Sequence, residues 1–551
     1  MKNITKLTVT SLIYSSLMSL SFTVRGNAAD WSMSGQSIGN WRSQPQETQI
    51  NPSNISTLAP KWIFSTGGDV SATPAVSGGS VYFPDWAGNL YNLNASNGTV
   101  NWQKDLSQVT GISGVKSRTT PTLSGNILLV GTQKGGDLIA FNANSGDLLW
   151  KTQMDSHPQA ILTGSPVVDN GIAYMGISSS EEISSMNSGY PCCTFRGSVA
   201  AVNINNGQIL WKTYTTLDNG GQTGGYSGNA IWSSAPVVDE KTNSLYVTTG
   251  NNYDVPQDVK TCHANGGSNC DSPNNYVDSI ISLDLGTGAL KWALKLSSYD
   301  ASNDACLIGG INCPTPKGPD FDFAQGAMLI PTSRGNVLVA GQKSGLFWGV
   351  DPLTGKVIWS SLAGPGGSEG GMQWGSATDG KRVYFANANS DHQSWTMLNG
   401  QTITGGFWGA IDPLTGEILW ETADPNGDLA MDTSSLSVAN GVVYAGSRAQ
   451  YSDKNTLPTF FALNADTGVI VWSYVSGGAS VGGPAIVDGN VYWGTGYQDY
   501  TTSKIYDFTV DVPEPGSFVG ILAVLGMYYP QAAKKKSKII IIYYLLFASF
   551  Y

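Results

Sequence analysis

Hydrophobic positions in the body of this chain fall into short runs punctuated by Gly, Asn and Asp. Residues 71–83 (SATPAVSGGSVYF) and 163–176 (TGSPVVDNGIAYMG) show the pattern: a β-rich run, a Gly or Asn turn, then a second β-rich run. Each predicts two strands joined by a hairpin, because Gly and Asn tolerate the left-handed backbone such turns need. Downstream of these pairs a signature recurs: Asn or Asp, Gly four residues later, and Trp eight residues later. It stands at Asn94/Gly98/Trp102, Asn142/Gly146/Trp150, Asn203/Gly207/Trp211, Asp284/Gly288/Trp292, Asp351/Gly355/Trp359, Asp412/Gly416/Trp420 and Asn464/Gly468/Trp472. The Asn or Asp with its Gly supplies a further turn. The Trp closes a strand that can bury a flat ring between neighbouring sheets.

Repetition at this spacing marks a repeat architecture, and four strands per unit predict the blade of a β-propeller. An eighth Trp, Trp62, has no blade before it, while the last strands, residues 483–494, have no Trp after them. The economical solution puts the strand of Trp62 into the last blade, closing the ring with both ends of the chain. The expected fold is therefore all-β, an eight-bladed β-propeller over residues 30–508. Intervals between the Trp residues run from 40 to 81 and place insertions at residues 180–193, 253–276 and 301–319, which carry all six cysteines. Such loops at one mouth of a propeller are where function is expected.

The two ends read as addresses. Lys2 and Lys6 precede apolar residues 7–24 and the small residues 26–29 (GNAA), the order of a secretory signal peptide, assigned to residues 1–29 and cleaved after Ala28 or Ala29. Export implies an oxidising compartment in which the cysteines can pair. The expected location is periplasmic, cell-surface or extracellular. At the other end, residues 512–515 (VPEP) precede apolar residues 518–529 and then Lys534, Lys535, Lys536 and Lys538. Residues 509–551 thereby resemble a PEP-CTERM sorting signal, which implies handling by exosortase-type machinery. A second apolar run, residues 539–551, departs from that pattern.

Composition narrows the classes. Among 551 residues there are 67 Gly, 25 Pro and 17 Trp, with only 13% charged, which favours many short strands and excludes a coiled coil or an ordinary helical bundle. A net charge of -11 argues against nucleic acid as a partner. The three histidines, His157, His263 and His392, lie far apart in sequence, which argues against a multi-histidine zinc or haem site. No Cys-x-x-Cys-His occurs, so no covalently bound haem domain is expected, and electrons would leave to a separate acceptor.

The Asn/Asp-x-x-x-Gly-x-x-x-Trp repeat resembles that of pyrroloquinoline quinone (PQQ) propellers, and the insertion YPCCTFRGS at residues 190–198 looks most like the polyvinyl alcohol dehydrogenase branch. The resemblance spans about residues 31–500. It implies a PQQ-dependent oxidoreductase acting on an alcohol or polyol, with Ca²⁺ or a lanthanide as the metal. PQQ carries three carboxylates, which call for cations, and a flat ring, which calls for a stacking surface. A hard cation wants oxygen ligands, and a carboxylate must take the alcohol proton.

The same resemblance implies residues. Arg118 meets a cofactor carboxylate, Thr163 hydrogen-bonds the cofactor, Trp232 stacks beneath its ring, and Lys343 lies near the quinone oxygens. A further, weaker contact is Gln373-Trp374. Glu181 and Asn251 are the implied metal ligands, with Glu182 competing for the role of Glu181. Asp300 matches the spacing of the catalytic Asp and is a metal ligand as well, while Asp320 and Asp322 in GPDFDF rival it. The adjacent Cys192 and Cys193 imply a vicinal disulfide against the cofactor plane, leaving Cys262/Cys270 and Cys306/Cys313 as local pairs. The other possibility is that Cys192 and Cys193 each pair elsewhere. A different class of function, a non-catalytic surface propeller that binds a polymer or a protein, would use the same blades as a rigid platform. Convergence of the implied carboxylates at one mouth discriminates the two.

Overall fold

A computed structural model describes residues 30–232, 235–449, 456–498 and 503–510. The expected leader, residues 1–29, lies outside the described residues, as does the sorting tail beyond Val510. Among the described residues no helix is long and apolar enough to cross a membrane.

Eight antiparallel sheets, each built on four strands, form the blades. In blade 1 the chain moves outward through Ala75–Ser77, Ser80–Pro84, Asn89–Asn94 and Val100–Asp105. Blades 2 to 7 repeat that order, beginning at Thr122–Ser124, Val167–Asp169, Val237–Asp239, Met328–Thr332, Ala377–Thr378 and Ser437–Ala439. Blade 8 takes three strands from the end of the chain, Ala485–Val487, Asn490–Gly494 and Lys504–Thr509, and its outer strand, Ala59–Ser65, from the start. Trp62 pairs there with Asp507, so the ring closes as the repeat arithmetic requires.

The repeated Trp is a staple between blades. Each indole N–H donates across the gap, to Ala143, Ile204, Leu285, Pro352, Pro413, Ala465 and Ala95 from Trp102, Trp150, Trp211, Trp292, Trp359, Trp420 and Trp62, at 2.7–3.1 Å. In these seven the acceptor is the carbonyl just after the Asn or Asp of the next blade's turn, whereas Trp472 donates to the Leu58 carbonyl at 2.9 Å, just ahead of the strand that closes the ring. The repeat Gly completes the joint. At Gly146 the backbone has φ +70°, and an added Cβ would stand 2.8 Å from the Trp102 ring. One residue thus serves both the turn and the close approach of the ring.

A feature with no repeat signature fills the centre. Residues 31–47 run as a strap across the innermost strands. Trp31 bridges Val76 of blade 1, and the N–H groups of Leu123, Val238, Leu329, Thr378 and Val438 donate to Ser32, Ile38, Gly39, Trp41 and Arg42. Glu47 accepts from the Gly489 N–H of blade 8 at 2.9 Å. Among the described residues blade 3 is reached by apolar packing, Met33 and Ile38 lying against a cluster that it shares with blade 4.

Candidate active site

The loops entering the inner strands and those leaving the second strands converge at one mouth. They enclose a cavity of about 680 Å³, a size suited to a cofactor with a small substrate. A common offset selects several of its side chains: the second residue past the second strand is Trp86 in blade 1, Gln133 in blade 2, Lys343 in blade 5 and Arg448 in blade 7, and all four line the cavity.

One half of the cavity is cationic and aromatic. Arg118 lies 4.6 Å over the Trp374 ring, Lys116 3.9 Å over Trp86, and Arg448 4.8 Å over Tyr497. Tyr497 meets both Trp86 and Trp374 edge-on at 5.2 and 5.1 Å. The buried Nε of Arg118 and Oε1 of Gln133 have no hydrogen-bond partner among the described residues. Burial lowers the guanidinium of Arg118 from its ordinary range, with the Tyr497 hydroxyl acting against it. An aromatic box with a free buried guanidinium donor suits an anionic planar group.

The other half is acidic. Lys343 Nζ stands 2.6 Å from Asp322 Oδ1 and 3.4 Å from Asp320 Oδ1. Burial alone would lower that ammonium, but Asp320, Asp322 and Glu182 outweigh it and hold the group well above its usual value. Asp320 is pushed up to about 7, by burial first and then by Asp322 and Asp300, with Lys343 opposing. Glu182 is raised well above the carboxylate range by burial and by Asp320 and Asp304. Three carboxylates and a single ammonium thus share a desolvated pocket, oxygen donors of the kind a hard cation accepts, although among the described residues no three acidic groups stand close enough together to hold a metal ion as they are. Gly250 lets this wall close: a Cβ there would stand 2.8 Å from Trp232 Nε1 and 3.1 Å from Asp322 Oδ2.

The structure sorts the residues implied by resemblance. Arg118, Thr163, Trp232, Lys343 and Asp320 line the cavity, as do Gln373 and Trp374. Glu181 does not. Its carboxylate accepts from Thr194 N–H at 2.9 Å, Phe195 N–H at 2.8 Å and Tyr190 O–H at 3.0 Å, so it anchors the loop behind the wall while Glu182 faces the cavity. The two begin a short helix, Glu181–Ser184, which points adjacent residues apart.

Asp300 also sits behind the wall. It accepts from the N–H groups of Asp320 and Phe321 at 3.0 and 2.6 Å and so positions the loop that carries Asp320. Asn251 holds the Ser302 carbonyl at 2.8 Å, with its own Oδ1 buried and unpartnered. Cys192 and Cys193 do form a disulfide, and the other cysteines pair locally. The vicinal pair packs into the blade 3 core, where Cys193 is fully buried, and it is Cys306 that reaches the cavity wall. Trp86, Lys116, Arg448 and Tyr497 escaped the sequence reading. The offset from the second strand that Lys343 occupies, applied to every blade, would have found Trp86 and Arg448.

Comparison with known proteins gives the class first. A quinohemoprotein alcohol dehydrogenase from Pseudomonas putida HK5 superposes with a TM-score of 0.65 at 18% identity, covering 91% of this chain and 85% of the other. A europium-containing methanol dehydrogenase does so at 0.63 and 18%, covering 87% and 98%. These place the fold among the quinoprotein dehydrogenase propellers. Residues 40–269, 274–448 and 405–507 match the family model described as outer membrane protein assembly factor BamB, a PQQ-repeat propeller model. A polyvinylalcohol dehydrogenase of Sphingopyxis sp. (strain 113P3) is 30% identical over 86% of this chain and 73% of its own length. The chain belongs to the PQQ-dependent alcohol dehydrogenase family.

Proposed function

We propose that this chain is an exported quinoprotein oxidoreductase that oxidises a secondary alcohol or a polyol of the polyvinyl alcohol kind and passes the electrons to a separate acceptor. The observation that carries this reading is the two-sided cavity, cationic and aromatic on one side and rich in carboxylates on the other. PQQ would supply a two-electron acceptor for the alcohol's hydride, and a Ca²⁺ or lanthanide ion would supply Lewis acidity.

The chain's own groups do the rest. Arg118, with Lys116 and Arg448, neutralises the cofactor carboxylates, and Trp232 offers a stacking face. Glu182 and Asp322 would be the oxygen ligands for the metal, with the free Oδ1 of Asn251 in reserve behind them. Asp320 takes the alcohol proton: with its carboxyl near 7, it is matched to proton transfer at neutral pH. Lys343 keeps the carboxylates from repelling one another and steadies Asp320. Asp300 fixes the backbone from which Asp320 projects.

The test is dye-linked oxidation of secondary alcohols and polyvinyl alcohol after reconstitution with PQQ and either Ca²⁺ or a lanthanide. Turnover that requires both PQQ and metal is the expected result. Absence of PQQ binding with either metal overturns the reading and leaves a binding platform in its place.

A further inference from the structure

A second group of buried carboxylates lies outside the cavity, at the joint of blades 6 and 7. Asp424 directly follows the outer strand of blade 6, Ile418–Ala423, and Asp432 stands in the loop that enters blade 7. Ser447 directly follows the second strand of that blade, Val442–Gly446. The Ser447 hydroxyl faces both carboxyl groups, which also face each other. Exposure is 3% for Asp424 and 0% for Asp432 and Ser447, so water does not reach them.

Four oxygens there, Asp424 Oδ2, both of Asp432 and Ser447 Oγ, are buried with no hydrogen-bond partner, and the neighbouring Thr433 hydroxyl is unpartnered too. The remaining oxygen, Asp424 Oδ1, accepts from the Asn426 N–H at 2.7 Å. Gly406 opens the space: an added Cβ would stand 2.8 Å from Asp432 Oδ2 and 2.7 Å from Asp432 N. A shared proton would serve one oxygen of each carboxyl group, and the second oxygen of Asp432 then has the Ser447 hydroxyl near it, which makes no hydrogen bond to it. Two desolvated carboxylates with no cation beside them among the described residues are costly. Oxygen-only donors, irregularly placed, are what Ca²⁺ accepts and what a softer metal would not select.

We propose that Asp424, Asp432 and Ser447 form a second, structural Ca²⁺ site that pins blade 6 to blade 7, separate from the metal of the cavity. The site is independent of the reading given to the cavity, and the experiment keeps the two apart. The full chain is stripped with EGTA, dialysed against Ca²⁺ alone and assayed for bound metal, alongside Asp432→Asn and Glu182→Gln. Wild type is expected to hold two Ca²⁺ per chain and each variant one. Millimolar Ca²⁺ is expected to raise the Tm of Glu182→Gln by several degrees and to leave Asp432→Asn less responsive.

One Ca²⁺ in wild type, kept by Glu182→Gln and lost by Asp432→Asn, supports the new site and counts against a metal in the cavity. If Asp432→Asn does not fold, the Glu182→Gln protein decides alone: one bound Ca²⁺ with a Ca²⁺-dependent Tm supports the site, and none overturns it. Unchanged metal content in Asp432→Asn, with an equal or higher Tm, overturns it as well and identifies a carboxyl pair sharing a proton.

Discussion

Adjacent residues can carry opposite duties, and Glu181 with Glu182 is the sharpest case in this chain. Glu181 accepts two backbone N–H groups and a phenol, and charge-assisted bonds of that kind contribute about 1.5–3 kcal/mol each. Glu182 has no such support and sits among carboxylates, raised by burial and by Asp320. Glu182→Gln is therefore expected to lower dye-linked kcat at least ~100-fold while leaving Tm equal or higher, since it removes a repelled charge. Glu181→Gln is expected to lower Tm by about 3 °C, because unfolding a propeller of this size converts ~1 kcal/mol into ~1 °C. Paired activity assays and thermal melts of the two variants check this. Collapse of turnover in Glu181→Gln at unchanged Tm would sink the assignment. Sequence alone left this pair open because the choice depends on where the second strand of blade 3, Ile172–Ser179, stops and the helix begins, a matter of one residue.

At the scale of elements, the blades were legible and the mouth only partly so. The Asn/Asp, the Gly and the Trp of each repeat act within eight residues and then on the next blade, so a local signature encodes both the turn and the joint. Ring closure followed from counting, since Trp62 lacked a blade of its own. The strap was not legible: its residues, WSMSGQSIGNWRSQ, pair with strands from almost every blade, and such distant pairing leaves no period in the sequence. The vicinal cysteines were read correctly as a pair but not as to place, because nothing local tells whether a loop faces a cavity or a core.

The closing seam carries a pH dependence of its own. Asp507, fully buried in the third strand of blade 8, is pushed up to about 7 by burial, with Lys61 at 3.5 Å on the outer strand opposing. Its folded value lies above the unfolded one, so the folded state holds the extra proton between about pH 4 and 7. Stability from this group is full at the acid end of that window and falls as pH rises through it. Asp507→Asn should flatten the fall and raise Tm at pH 8 by about 4 °C, measured by melts from pH 4.5 to 8. An unchanged slope would mean that Lys61 keeps Asp507 ionised throughout.

For the whole molecule the strap decides how a ring of eight sheets becomes one body. A propeller held only at its Trp staples has joints between neighbours and nothing across the centre. Here residues 31–47 join the inner strands of blades that never touch one another. Arg42 stands at the crossing: fully buried, it donates from Nε to the Leu436 carbonyl at 2.6 Å, from Nη1 to the Ser34 carbonyl at 3.0 Å and from Nη2 to the Thr73 hydroxyl at 2.7 Å. Those partners belong to the entrance of blade 7, the strap itself and the entrance of blade 1. Burial lowers the guanidinium to about 10, so it stays charged at neutral pH. Arg42→Met keeps the length and the apolar contacts but strands three buried acceptors, each costing about 1–3 kcal/mol. The expected result is a Tm lower by about 3–9 °C at the same conversion used for Glu181. Backbone hydrogen exchange should rise at Val438, Thr378 and Val76 together, in blades 7, 6 and 1, since all three face the strap. A substitution on an outer strand would loosen one blade only. Faster exchange confined to blade 7, with Tm within about 1 °C of wild type, would show that Arg42 serves its neighbours and that the Trp staples alone hold the ring.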